Sequence, residues 1–186
     1  MTDPDMGTWW YGYEAAGNLI SQTDAVGQNV TFVFDALNRL TVKNYPSGSD
    51  VYYEYDASQG GGTTLNSWGR LRAVYVGSLT SNGHLYEYDN RGRSVKDTAW
   101  IDGSSYITQY QYDAMSRPVS MTYPNPGGET VTTSYNPQGL PATMSGSSSY
   151  VSNASYDALG RIELLPLGAN GRRVDYVYYP WNQLQG

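Results

Sequence analysis

One unit recurs eight times along the 186 residues: an aromatic residue, an acid, two variable residues, a Gly and an Arg. It reads Tyr13-Glu14-Ala15-Ala16-Gly17-Asn18, then Phe34-Asp35-Ala36-Leu37-Asn38-Arg39. A third copy opens at Tyr55-Asp56 and resumes at Gly69-Arg70-Leu71 after an insert. Then come Tyr88-Asp89-Asn90-Arg91-Gly92-Arg93, Tyr112-Asp113-Ala114-Met115-Ser116-Arg117, Tyr135-Asn136-Pro137-Gln138-Gly139-Leu140 and Tyr156-Asp157-Ala158-Leu159-Gly160-Arg161. A degenerate eighth copy is Tyr178-Tyr179-Pro180-Trp181-Asn182-Gln183. The spacings between anchors are 21, 21, 33, 24, 23, 21 and 22 residues. Without the insert, one unit of roughly 22 residues fills the chain, which reads as a single repeat array over 1–186 with no second domain.

The unit dictates its own local structure. The anchor and the residue two before it are both aromatic in Tyr11/Tyr13, Phe32/Phe34, Tyr53/Tyr55, Tyr86/Tyr88 and Tyr110/Tyr112. A period of two places both rings on one strand face. The other face carries Glu54/Asp56, Glu87/Asp89, Gln111/Asp113 and Ser155/Asp157, so it is polar, as in an antiparallel sheet. Asp at the start of a tight turn can hold the backbone ahead of it. The fourth turn position is Gly or Asn at 17, 38, 69, 92, 139, 160 and 182. Those residues accept the positive φ that follows a type I turn. Ser116 breaks the pattern, which predicts strain or a different turn there.

Second turn signals lie between the anchors: Asp24 to Gly27, Pro46-Ser47-Gly48, Asn82-Gly83, Asp102-Gly103, Pro126-Gly127-Gly128, Gly146 to Ser149, and Asn170-Gly171. Each unit is then strand, turn, strand, turn, and eight units predict about sixteen short antiparallel strands. At roughly 4.8 Å per strand they would span about 75 Å. A sheet of that width curls, closes on itself or packs on further sequence.

Acid and Arg tend to occur together. Copies two, three, four, five and seven have both, copies six and eight have neither, and copy one keeps only the acid. This predicts a charge-assisted pair across the turn or between neighbouring hairpins. The alternative is solvated turn charges worth little.

Composition agrees with a thin β-sheet. There are 19 Tyr, 5 Trp and 21 Gly but only 2 Phe, and charged residues make up 15%. Arg outnumbers Lys, which suits planar hydrogen bonding. The formal charge of −6 speaks against a nucleic-acid partner. The absence of cysteine excludes a disulfide scaffold and a Cys nucleophile, and no apolar run is long enough for a membrane helix. No basic and apolar leader opens the chain, and its end on Leu-Gln-Gly is read as a fragment's.

Other features carry little chemistry. His84, the single histidine, follows a turn signal and is read as an exposed turn residue without a catalytic partner. Asp50, Glu54 and Asp56 lie on or beside a strand and lack calcium-loop spacing, so no metal and no cofactor is expected. The Gly/Ser/Thr-rich insert at residues 57–67 reads as a flexible exposed loop. No nucleophile–base–orienter set can be assembled, so an enzyme is not expected. Aromatic rows with Trp9, Trp10, Trp68, Trp100 and Trp181 admit a second reading, recognition of glycan or a cell-surface protein. The same rows supply a sheet poor in aliphatics with cross-strand cohesion.

The Tyr-Asp-x-x-Gly-Arg unit resembles the YD repeat of Rhs-type proteins. Tyr156-Asp157-Ala158-Leu159-Gly160-Arg161 is nearly an ideal copy, and the resemblance covers nearly the whole chain. That family includes bacterial Rhs polymorphic toxins, the cocoon subunits of insecticidal Tc toxin complexes, and animal teneurins. The resemblance implies an all-β strip that spirals into a hollow shell. The implied partners are the rest of a parent chain or its toxin cargo. The implied setting is secreted, on the cell surface, or delivered by a secretion system. In the family, an Asp-Pro-x-Gly type signature accompanies self-cleavage. It does not occur here, so the shell-wall role alone is carried over. That role falls on Tyr13, Gly17, Phe34, Asp35, Asn38, Arg39, Tyr55, Asp56, Gly69, Arg70, Tyr88, Asp89, Gly92, Arg93, Tyr112, Asp113, Arg117, Tyr135, Gly139, Tyr156, Asp157, Gly160, Arg161 and Tyr178.

Overall fold

The computed structural model describes residues 1–56, 66–124, 127–168, 170–179 and 184. Most of the insert, Pro126 and the degenerate eighth turn with Trp181 and Asn182 lie outside the described residues. The chain forms two compact units, Met1–Tyr106 and Ile107–Gly186. Both are built of antiparallel strands, and no helix occurs among the described residues.

The first unit contains β1 (Thr2–Asp3), β2 (Gly7–Thr8), β3 (Trp10–Tyr13), β4 (Leu19–Thr23) and β5 (Asn29–Phe34). It continues with β6 (Leu40–Asn44), β7 (Val51–Tyr55), β8 (Leu71–Val76), β9 (Gly83–Tyr88) and β10 (Ser94–Ile101). From β3 to β10 each strand pairs with the next in sequence, as a meander should. β1 and β2 form a separate ribbon that the repeat does not foretell.

The second unit contains most of β11 (Ser104–Tyr112), then β12 (Pro118–Thr122), β13 (Thr130–Tyr135) and β14 (Pro141–Ser145). It ends with β15 (Ser149–Val151), β16 (Ser155–Tyr156), β17 (Ile162–Leu167) and β18 (Arg172–Asp175). β15 and β16 both pair with β17 and are two pieces of one strand. The break falls where Ala154 N–H turns to donate to the Ala142 carbonyl at 2.8 Å.

The repeat turns of copies one, two, four, five, six and seven share one geometry. The acid's N–H donates to the carbonyl four residues on, and the fourth residue's N–H donates back, as in Asp35 N to Arg39 O at 2.9 Å and Asn38 N to Asp35 O at 3.0 Å. This is a type I turn closed by a left-handed residue. Ser116 adopts the same turn, with φ +65° beside +58° at Asn38 and +77° at Gly160. The different turn predicted there does not form, because the flanking hydrogen bonds impose the left-handed residue whatever its side chain. Asp24 to Gly27 repeats this geometry in a second turn, with Gly27 N donating to Asp24 O at 3.1 Å.

A bulge follows every repeat turn among the described residues. Opposite Tyr13 and Gly12 stand Leu19 and Ser21, leaving Ile20 as the additional residue. Thr41, Arg72, Val95, Val119, Ala142 and Glu163 take the same place in the other hairpins. A bulge adds local twist and bends its strand, so each hairpin bends at one fixed point.

Among the described residues, Ala73 and Ala154 are the only buried apolar side chains. These sheets therefore have no thick core, and cohesion must come from contacts within the layer. Left-handed φ is costly for an L side chain. Gly160→Ala is expected to lower stability by about 1 kcal/mol, and Ser116→Gly to raise it by a similar amount. Urea-unfolding midpoints of the two variants check both signs.

Candidate functional site

The repeat turns carry the densest side-chain chemistry in the chain. Asp35 Oδ1 accepts the N–H groups of Leu37 and Arg39, both at 2.9 Å, while Oδ2 accepts Arg39 Nε at 2.7 Å. One carboxylate thus satisfies two backbone donors and one guanidinium. Asp89 with Arg93, Asp113 with Arg117, and Asp157 with Arg161 repeat the arrangement, with Nε–Oδ2 distances of 2.6, 2.7 and 2.6 Å.

The guanidinium also reaches the next repeat. Arg39 lies 4.4 Å over the Tyr55 ring, Arg117 4.2 Å over Tyr135, and Arg161 4.3 Å over Tyr178. Anchor hydroxyls also turn back to the preceding hairpin. Tyr88 donates to the Leu71 carbonyl at 2.7 Å, Tyr135 to Pro118 at 2.6 Å, Tyr156 to Pro141 at 2.6 Å and Tyr178 to Ile162 at 3.1 Å. In each case the acceptor directly follows the Arg position. At Tyr135 and Tyr178 the anchor is thus a clasp, its ring under one hairpin's Arg and its hydroxyl on that hairpin's backbone.

The exceptions follow the same chemistry. In copy three Arg70 does not pair with Asp56. It donates to the carbonyls of Asn66 and Trp68 at 3.3 and 3.1 Å, while Asp56 accepts Arg39 Nη2 at 2.9 Å. Arg70 extends toward Tyr88, 5.7 Å from the ring centroid, and occupies the space where Gly92 would carry a Cβ. Between copies one and two the partners are Asn18 and Phe34, which offer neither guanidinium nor hydroxyl. There Asn18 Nδ2 bonds Glu14 and donates to Asn38 Oδ1 at 2.9 Å. Between copies six and seven Leu140 replaces Arg, and a hollow of about 600 Å³ opens among Asn136, Gln138, Leu140, Tyr156 and Asp157.

These bonds set the carboxylate acidities. The backbone N–H of Arg39 holds Asp35 below the ordinary value of 3.8, with help from the Arg39 guanidinium. Asp113 and Asp157 are lowered in the same way by Arg117 and Arg161. At Asp89 burial is the largest influence and pushes upward, but the bonds from Arg93 and Arg91 together outweigh it. The Arg39 guanidinium lowers Asp56. Glu129, in a second turn, is lowered first by the Tyr150 hydroxyl and then by Ser147.

Sequence reasoning placed the turn residues but missed the clasp, because an anchor Tyr alone does not say which hairpin receives its hydroxyl. His84 is also corrected. It sits in β9, its Nδ1 3.0 Å from Asp97, and stacks with Tyr86 at 5.9 Å. The turn lies earlier, closed by Val76 N donating to Asn82 O, and Gly83 packs against the Tyr75 side chain. Trp10 and Trp68 are exposed, while Trp9 stacks with Tyr11. Among the described residues no cluster of three His, Cys, Asp or Glu side chains could hold a metal ion.

The sequence model of the RHS Repeat family matches residues 13–50 and 98–126. Over those two stretches the chain carries RHS repeats. Their fold is shared with large solved structures. The TcdB2-TccC3-Cdc42 crystal structure superposes at a TM-score of 0.58 and 13% identity, over 96% of this chain and 11% of that one. TcdB2-TccC3 without its hypervariable C-terminal region gives the same values. The Tc holotoxin pore of Photorhabdus luminescens superposes at 0.58 and 12% identity, again over 96% and 11%. This chain therefore spans about a tenth of the length of those chains. No curated protein sequence matches the chain.

Two outcomes follow for the clasped RHS turns. In a double-mutant cycle, Arg117→Met and Tyr135→Leu are expected to couple by roughly 0.5–1 kcal/mol, read from urea midpoints. For pH, the lowered Asp values mean that the folded state favours the ionised carboxylates. That stability is complete above the ordinary carboxylate range and is lost as pH falls below about 4, through the lowered values. Thermal midpoints are expected to be level between pH 7 and 5 and to fall toward pH 3. Asp113→Asn is expected to flatten that fall.

Proposed function

We propose that this chain is a length of structural wall, an RHS-repeat sheet that encloses or presents a cargo segment of a secreted or delivered protein. The observation that carries the reading is the pairing of turn-to-turn clasps with sheets that bury almost nothing but Ala73 and Ala154. A layer held by repeated local clasps can extend without thickening, which is what enclosing a space requires. The structural likeness to the Tc structures supports the fold, and the repeat supports the wall role. The wall's partners are then the remainder of a parent chain and the cargo it encloses.

The test uses the native polypeptide in which this sequence occurs. Electron microscopy is expected to show a hollow β-walled particle, with an internal segment that resists protease until the wall is disrupted. A solid or fully open particle whose segments are all cleaved at similar rates would contradict the reading. A glycan-array signal lost on Trp10→Ala or Trp68→Ala would favour carbohydrate recognition instead.

A further inference from the structure

We propose that the hollow beside Leu140 is a guanidinium site, filled by an arginine side chain of a partner polypeptide. The hollow lies within the second unit, about 600 Å³ among Asn136, Leu140, Tyr156 and Asp157. The hairpins on either side show what such a space holds. Arg117 lies 4.2 Å over the Tyr135 ring, and Arg161 lies 4.3 Å over Tyr178. Counted from the anchors, residue 140 stands where Arg117 and Arg161 stand, and Tyr156 stands where Tyr135 and Tyr178 stand. Leu140 follows the same path. Its Cδ1 lies 3.6 Å from where Gly160 would carry a Cβ, as Arg117 Nη1 lies 3.3 Å from that point at Gly139. A leucine stops at Cδ, so the planar charged head is the part that is missing.

The rest of the clasp is in place. The Tyr156 hydroxyl donates to the Pro141 carbonyl at 2.6 Å, as the Tyr135 hydroxyl donates to Pro118 at 2.6 Å. The ring is therefore held as its neighbours are, yet among the described residues no cation lies over it. The turn of copy six also keeps its form without a charge: Asn136 Oδ1 accepts Leu140 N at 2.9 Å, as Asp113 Oδ1 accepts Arg117 N. An incoming group thus meets a preformed site and bears little ordering cost beyond its own. Ala158, Leu159 and Gly160 beside the hollow are exposed, so entry is from outside the sheet.

The lining selects the occupant. The face of Tyr156 attracts a cation. Asn136 Oδ1 and the Asp157 carboxylate bring acceptors to the same wall. In copy three the equivalent acid, Asp56, takes the Arg39 guanidinium of the preceding turn at 2.9 Å. Asp157 also binds Arg161 at 2.6 Å, so an incoming cation shares that carboxylate. A flat guanidinium can lie on the ring while its edge donates to both acceptors, whereas an ammonium is compact and strongly hydrated. An apolar side chain would cover the ring and leave the acceptors unmatched. The formal charge of −6 favours a basic polypeptide segment as the source. This inference rests on the clasp geometry and not on cargo enclosure.

The test is an NMR titration of the full chain, with isotope labels on the tyrosine rings and leucine methyls. The probes are methylguanidinium and the peptide Gly-Arg-Gly at fixed ionic strength. Both are expected to shift the Tyr156 ring and Leu140 methyl signals saturably, with midpoints on the order of 10 mM. The covered rings of Tyr135 and Tyr178 are expected to stay unchanged. Methylammonium and Gly-Lys-Gly are expected to bind roughly fivefold or more weakly. Leu140→Arg is expected to abolish the Tyr156 response, because the chain then fills the hollow itself. If that variant does not fold, Tyr156→Leu, read at the Leu140 methyls, is expected to lose the response instead. The absence of a saturable shift at Tyr156, equal shifts at the covered tyrosines, or equal binding of the ammonium probes would overturn the proposal. A response to methylguanidinium with none to Gly-Arg-Gly would overturn the arginine partner.

Discussion

The fold depends on one recurrent contact, the guanidinium of a repeat turn lying on the tyrosine of the next. A single-layer sheet has two wet faces and cannot rely on burying aliphatic side chains. Here the contact between layers is replaced by contacts along the layer. The Asp carboxylate fixes its own turn and aims the Arg, the Arg covers the next Tyr ring, and the Tyr hydroxyl returns to the backbone just past that Arg. Each element is ordinary and individually weak. Their effect comes from repetition, because stability in a repeat array is close to a sum of unit and neighbour terms.

The variations show which components are interchangeable. Where copy one lacks Arg, copy two lacks the Tyr hydroxyl, and an amide link between Asn18 and Asn38 replaces both. Where copy six lacks Arg, the Tyr156 hydroxyl still reaches Pro141, and the lost side chain leaves a hollow rather than a broken sheet. The hydroxyl return and the guanidinium cover are therefore separable halves of one clasp. The turn itself is the least negotiable part, since Ser116 is held at a left-handed φ that its side chain disfavours.

Much of this was legible in the residues. The 22-residue period, the aromatic pairs two apart and the Asp-to-Gly turns located the hairpins and their left-handed positions, because those features are local. The co-occurrence of Asp and Arg anticipated pairing and left open whether it lay within or between hairpins. Both occur, within copies two, four, five and seven and between copies two and three. The Tyr hydroxyl partners and the bulges at Ile20, Thr41 and their equivalents were not legible. They depend on register between strands, which no single repeat encodes. The Asn82-Gly83 pair marks the end of its turn: Asn82 closes it, and Gly83 already belongs to β9, packed against Tyr75.

A layer made this way should fail locally rather than all at once. The most direct test is residue-resolved amide exchange on the full chain with Arg117→Ala, which removes one clasp. Protection is expected to drop in the hairpins on either side, around Asp113 and Tyr135, and to stay unchanged near Asp35 and Tyr55. A uniform loss of protection through the chain, or none near Tyr135, would contradict cohesion by turn-to-turn clasps.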